Sequence, residues 1–292
     1  MSTTAYYFLN NVAIFILLGW HVYVGFRNGQ LNMGCVFNMG ISAYFSTIAY
    51  MKWGWPLVPA IIVAVLVGTL AAFLPSLFLA EVPPFTMVIA TLGLIGIAQA
   101  VFLNIPYFGA AYGIVNIPNL PNSLLISWIA VVVVGFLIYR LDHSRFGRSM
   151  EMVAVDRDLA VTMGVDSRRG GIVLQTLGGF MSSIAGALYA FFANAVYPRN
   201  FGFEILLRIV SFFFIGGMNT MWGVAVFTPI LWALTVFLPR GISAWKDVIY
   251  GIMMIAVVVT RPEGAIDKPL LRTIGNKIRR WRGLKPVGVT EV

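Results

Sequence analysis

The stretch SLLISWIAVVVVGFLIYRLDHSRFGRSMEMVAVDRDLAVTMGVDSRR, residues 123–169, decides the fold. Its first part, 123–141, is apolar except for Arg140 close to its end. As a helix it would reach roughly 30 Å, the thickness of a bilayer's hydrocarbon core. Its second part, 142–169, carries both signs of charge and is too polar to cross. An apolar run of crossing length that ends abruptly in an arginine-rich loop reads as a membrane span emerging at one surface.

The rest of the chain has the same texture. Of 292 residues, 59% are hydrophobic and 11% charged, whereas a soluble domain carries about 25% charged residues. That excludes a soluble cytosolic enzyme, a secreted domain and a disordered chain. The single cysteine, Cys35, excludes an internal disulfide and a cysteine-based zinc site. The net charge of +9 gathers in 140–169 and 261–285, so it marks membrane topology, not nucleic-acid binding. The opening MSTTAYYFLN lacks the basic region and cleavage site of a signal peptide.

Apolar runs at 6–26, 31–51, 55–80, 83–103, 123–141, 171–196, 205–221, 222–238 and 248–260 predict about nine spans. The expected fold is all-α, a polytopic transmembrane helix bundle. A transmembrane domain would cover 1–260, with a cytoplasmic loop at 142–169, and a basic cytoplasmic tail would cover 261–292. Setting both basic blocks inside places Arg27 and the C-terminus in the cytoplasm and the N-terminus outside. Fifteen Lys and Arg then lie inside, and five (Lys52, Arg199, Arg208, Arg240 and Lys246) outside. That bias is the positive-inside rule. Small residues at three- and four-residue spacing in 178–190 predict closely packed helices.

Few residues can carry chemistry. His21 lies within the first run, where an ionisable group marks function by default, although a neutral packed histidine fits as well. His143 falls in the polar loop. HExxH, Gly-x-Ser-x-Gly and paired intramembrane carboxylates are all missing from the sequence. None of the five lysines follows a glycine, so there is no Walker A motif and any ATP must bind another subunit. Glu204 and Arg208, four apart, would share a helix face as an ion pair or as a polar patch on a solute pathway. Asn32, Asn38, Gln99, Asn104, Gln175 and Thr176 either line such a pathway or bridge helices. Residues 150–164, MEMVAVDRDLAVTMG, read as one helical segment with a small apolar face, suited to a partner's groove or to the lipid surface. Gly164 would stop it.

In that segment, Asp158-Leu159-Ala160, three residues and Gly164 resemble the Glu-Ala-Ala-x3-Gly coupling motif of ABC importer permeases, with Asp for Glu and Leu for the first Ala. The frame from Ser144-Arg-Phe-Gly-Arg148 to Val165-Asp166 is similar to the branched-chain amino-acid ABC transporter permease family. FMSSIAGALYA at 180–190, GGMNTMWG at 216–223, and Ile249-Tyr250-Gly251 followed by Arg261-Pro262-Glu263-Gly264 extend the likeness. Residues 25–44 and Thr91-Leu92-Gly93 match more loosely. The likeness covers nearly the whole chain and is strongest after residue 140. One departure stands out: Val82-Pro-Pro-Phe85 replaces the family's Arg-Gly-x-Tyr-Phe run, which points to a solute other than a standard branched-chain amino acid.

The resemblance implies a non-catalytic subunit of the bacterial inner membrane. Its implied partners are two cytoplasmic ABC ATPases, a second homologous permease, a periplasmic substrate-binding protein and the lipid itself, but no nucleic acid. It implies no cofactor on this chain; ATP and Mg would sit on the ATPases. Asp158, Leu159, Ala160, Gly164 and Val165 become the expected ATPase-coupling residues, with Ala160 against the ATPase surface. Thr91, Gln99, Glu204 and Arg208 become the candidate translocation pathway; no catalytic or metal-binding residue is expected. A self-sufficient secondary transporter is the alternative, and His21 is its only candidate for an ion relay.

Overall fold

The computed structural model describes residues 3–237 and 246–260. Eleven α-helices occupy most of them: α1 (Thr3–Phe26), α2 (Cys35–Met51), α3 (Leu57–Leu79), α4 (Pro84–Asn104), α5 (Ser123–Asp142), α6 (Arg145–Val155), α7 (Arg157–Thr162), α8 (Ser167–Ala193), α9 (Phe203–Gly216), α10 (Met221–Phe237) and α11 (Lys246–Thr260). Two short strands, β1 (Ile114–Val115) and β2 (Ala195–Val196), pair antiparallel. The basic tail, Arg240 and the Arg261-Pro262-Glu263-Gly264 motif lie outside the described residues.

Five helices, α1, α3, α4, α5 and α8, are long and apolar enough to cross a bilayer. Among the described residues the other apolar helices are shorter, so the expected count of about nine spans is not confirmed. The run at 31–51 becomes helical only at Cys35, leaving 17 residues. The α9 helix has 14 residues, about 21 Å of rise, and ends at Gly216. There the chain reverses through Gly217, whose φ of 123° suits glycine. A Cβ at Gly216 would stand 2.6 Å from the Gly223 carbonyl oxygen, so α9 and α10 meet too closely for larger residues.

The α8 helix is the axis of the bundle and packs on α1, α2 and α3. Its small residues permit this: a Cβ at Gly179 would lie 2.0 Å from the Ala72 Cβ. Where neighbouring helices are no more apolar than lipid, close van der Waals approach holds them together. The α3 helix shows the resulting inverted pattern. Ala60, Ala64, Gly68, Ala72 and Ser76, spaced by four, are buried. Val58, Ile62, Leu66, Leu70, Leu74 and Phe78 face outward. Large apolar side chains therefore meet the hydrocarbon while small ones meet protein.

Connections sort to two ends. At one end, Arg27 follows α1, Glu81 follows α3, and α6 and α7 follow α5. At the other, Lys52 Nζ donates to the Tyr107 carbonyl, Trp53 Nε1 donates to Tyr107 Oη at 2.9 Å, and β1 pairs β2. The first end gathers Arg27, Glu81 and the arginines of 145–169, and the second sets aromatic side chains beside Lys52.

Candidate functional site

The charged end is built around the segment between α5 and α8. This segment is two helices, not the single one expected over 150–164. Asp156 has an extended backbone (φ −150°, ψ 105°) that ends α6, and its side chain accepts from Leu159 N–H to start α7. An Asx cap is the ordinary way for a short polar side chain to begin a helix. The α7 helix closes at Gly164, which has φ +84°. Gly164 N–H donates to Val161 O at 2.9 Å, and Val165 N–H donates to Ala160 O at 3.0 Å. Those two bonds make a Schellman ending, for which a residue lacking Cβ is preferred.

Burial within this segment overturns one expectation. Ala160 is fully buried within the chain, in the apolar core that also packs Val165, so it is not available to a partner. Its methyl fits the seam by which α7 seats on the bundle. The outward surface comes instead from Met152, Val155, Leu159, Val161 and Met163, all exposed, with Met163 at 70%. Asp158 lies in the first turn of α7, where a carboxylate complements the helix dipole.

Two ionic clamps fasten this segment to the spans. Arg27 reaches Asp142 at 3.1 Å and Glu151 at 3.4 Å, and Tyr23 Oη donates to Asp142 Oδ2 at 2.7 Å. Burial works against the Arg27 charge, but the Asp142 and Glu151 carboxylates beside it outweigh that and hold the guanidinium above its ordinary pKa. Glu81 meets Arg157 at 3.6 Å and Arg168 at 4.0 Å, while Arg157 Nη1 donates to the Glu81 carbonyl at 3.0 Å. Beneath them, Gln30 Nε2 donates to Ala80 O at 2.9 Å and Val82 O at 3.0 Å, and Gln175 Nε2 donates to Gln30 Oε1 at 2.9 Å.

Sequence reasoning missed Glu81, Asp142, Glu151 and Gln30. One signal was there to read: Glu81 is the only acidic residue before Asp142, facing an arginine-rich loop.

The residues expected along a pathway do not form one site. Thr91 is buried in α4, where its hydroxyl donates to Met87 O at 2.8 Å and accepts from Met33 N–H at 3.2 Å. Gln99 lies farther along α4, beside Gly202. Glu204 and Arg208 pair at 3.2 Å on α9, and the guanidinium sits 5.9 Å from the Trp232 ring centre on α10. His21 is buried, with Nδ1 3.1 Å from Ser182 Oγ. Among the described residues no group of His, Cys, Asp and Glu could hold a metal ion.

A family model described as "Branched-chain amino acid transport system / permease component" matches residues 4–258. The chain belongs to that family. An Escherichia coli relative, "Autoinducer 2 import system permease protein LsrC", is 25% identical over 274 residues, covering 88% of this chain and 78% of the relative. The Shigella flexneri protein of that name is also 25% identical. Escherichia coli K12 "High-affinity branched-chain amino acid transport system permease protein LivM" is 25% identical over 142 residues, 49% of this chain and 33% of LivM. No solved structure matches significantly. The permease is thus a multi-pass membrane protein, a transport component whose relatives' names give two different solutes.

Proposed function

We propose that this permease is the transmembrane subunit of an ATP-driven ABC importer, and that the α6–α7 segment is where cytoplasmic ATPases dock. The observation that carries the reading is the exposed apolar surface of Met152, Val155, Leu159, Val161 and Met163. It is held to the spans by the Arg27 and Glu81 clamps, so force applied to it reaches α1, α3, α5 and α8. An ATPase closing against it would bias rigid-body states of the bundle. Asp158, Leu159, Gly164 and Val165 act in this docking segment, Ala160 by seating it. ATP and Mg belong to two ATPase partners. A second homologous permease and a periplasmic binding protein complete the assembly in a bacterial inner membrane.

The charged end faces the cytoplasm, with the N-terminus outside and the C-terminus inside. The solute is a branched-chain amino acid or a related small polar or amphipathic molecule. A proton- or ion-driven carrier is disfavoured because acids in the described helices of crossing length sit only at an end, as with Asp142 in α5. Among the described residues of those helices, His21 therefore has no carboxylate beside it for a relay. The test is affinity purification in mild detergent: two P-loop ATPases should co-purify, and their absence from an otherwise intact permease would overturn the reading.

A further inference from the structure

The arginines at the charged end fall into two groups. Arg27, Arg157, Arg168 and Arg169 each have a carboxylate within 4.0 Å. Arg140, Arg145 and Arg148 have none among the described residues, and all three are exposed.

A tight turn gathers these three. Arg140 lies in the last turn of α5. Arg145 and Arg148 open α6 and, three apart, share a face. Ser144 Oγ donates to Leu141 O at 2.6 Å and accepts from Gly147 N–H at 3.0 Å. A Cβ at Gly147 would lie 2.1 Å from the Leu141 carbonyl oxygen, so α6 starts hard against the end of α5. Arg148 Nη1 donates to His143 O at 2.9 Å, which holds its guanidinium back over the turn.

The turn meets lipid. Ile129, Val132 and Phe136 are exposed along α5, and Arg140 continues their stripe at the same helical spacing. Val131, Val134 and Ile138 are buried on the opposite face. Large side chains mark the exposed stripe for hydrocarbon, since helix partners in a membrane favour small residues. At the foot of α5, Tyr139 is exposed and its ring centre stands 4.2 Å from that of His143. Exposed aromatic rings at a helix end mark the headgroup level.

Neither arginine of α6 is placed there to support the helix. Its first turn has no acidic residue, and the helix dipole disfavours a cation at that end. An anion from outside the chain reverses the sign of that effect. At headgroup depth beside a lipid-facing helix, lipid phosphate is the anion at hand, and its oxygens match the guanidinium fork.

We propose that Arg140, Arg145 and Arg148 form a binding site for the phosphate of an anionic phospholipid, whose acyl chains lie along the exposed 129–136 stripe of α5. The site goes beyond the docking reading and does not depend on it. The α6 helix rises about 15 Å from Arg145 to Val155. A bound lipid therefore pins its first turn to the membrane and leaves its far end and α7 open to a partner.

The test uses the full-length permease in mild detergent, with phosphatidylglycerol and phosphatidylcholine binding read by native mass spectrometry. Phosphatidylglycerol should bind at least tenfold more tightly. Each arginine near an anionic surface contributes about fivefold in affinity. Arg145→Gln combined with Arg148→Gln should thus weaken phosphatidylglycerol about 25-fold and leave phosphatidylcholine unchanged. Arg168→Gln combined with Arg169→Gln removes the same charge from arginines that already have carboxylates, and should cost less than fivefold. Wild-type protein supplies a second measurement by hydrogen exchange in nanodiscs. Phosphatidylglycerol should slow exchange of peptides spanning 143–155 at least threefold relative to phosphatidylcholine. Equal affinity for the two lipids, a loss under fivefold in the first double variant, an equal loss in the second, or unslowed exchange would each overturn the site. Displacement of the lipid by millimolar inorganic phosphate would assign the arginines to a free anion, and displacement by co-purified ATPases would assign them to a protein partner; either result overturns the lipid reading. Failure of ATPases to co-purify overturns the docking reading and leaves this site standing.

Discussion

Replacing Gly164 with alanine isolates one physical effect. A Cβ built there meets nothing within 4 Å, so there is no clash, and the whole cost comes from the φ of +84°. An L-residue in left-handed backbone costs about 1–2 kcal/mol. Because the Schellman bonds from Gly164 and Val165 exist only in the closed segment, that strain falls on the folded loop and not on its open form. Each 1.4 kcal/mol is tenfold in an equilibrium constant, so loop opening should become about 5- to 30-fold more frequent. Hydrogen exchange of peptides spanning 157–168, measured on the purified permease, reads that opening directly. Gly164→Asn should fall between wild type and alanine, since asparagine tolerates this conformation. Gly164→Val should be worst, because β-branched residues are true outliers there. The control is Gly93→Ala in α4, where a Cβ also meets nothing but φ is not positive. Exchange in Gly164→Ala within twofold of wild type, or equal acceleration in Gly93→Ala, would refute the strain argument.

Other substitutions test the remaining geometry. Ala160→Glu buries an unpaired carboxylate in the seam under α7, at a cost of about 3 kcal/mol or more, and should lower the amount of folded permease on size exclusion. Leu159→Glu and Met163→Glu should leave folding intact and instead reduce recovery of co-purified ATPase. The Glu204 side chain is 70% exposed and that of Arg208 13%, so reversing Glu204 alone should cost less than about 1 kcal/mol of stability and reversing Arg208 alone should cost more, with the double reversal recovering part of the loss in thermal stability. Cysteines at Val155 and Tyr112, both strongly exposed and at opposite ends, should be labelled by an impermeant maleimide from the cytoplasmic and the outer side respectively.

Much was legible in the sequence because it depends on local properties. Apolar runs gave α1, α3, α4 and α5 to within a few residues, since hydrocarbon demands about twenty apolar residues wherever a helix crosses. The stop at Gly164 was readable because a left-handed residue is a local demand. The membrane class followed from charge content, and the helical segment between α5 and α8 from its mixed polarity. The start of α2 at Cys35 and the halt of α9 at Gly216 fall where Asn32 and Gly34, and Gly216, Gly217 and Asn219, disfavour a helix locally, signals that counting apolar runs passes over. What the sequence by itself could not determine was everything set by facing surfaces. Periodicity placed Ala160 on a small apolar face with Val161 and Met163, but only the tertiary structure decided that Ala160 turns into the core while those two stay exposed. Glu81 and Arg157 stand 76 residues apart, and Gln30 and Gln175 stand 145 apart. Such pairs form because the bundle brings two chain reversals to one end, where unpaired charges and amides are costly to leave without partners.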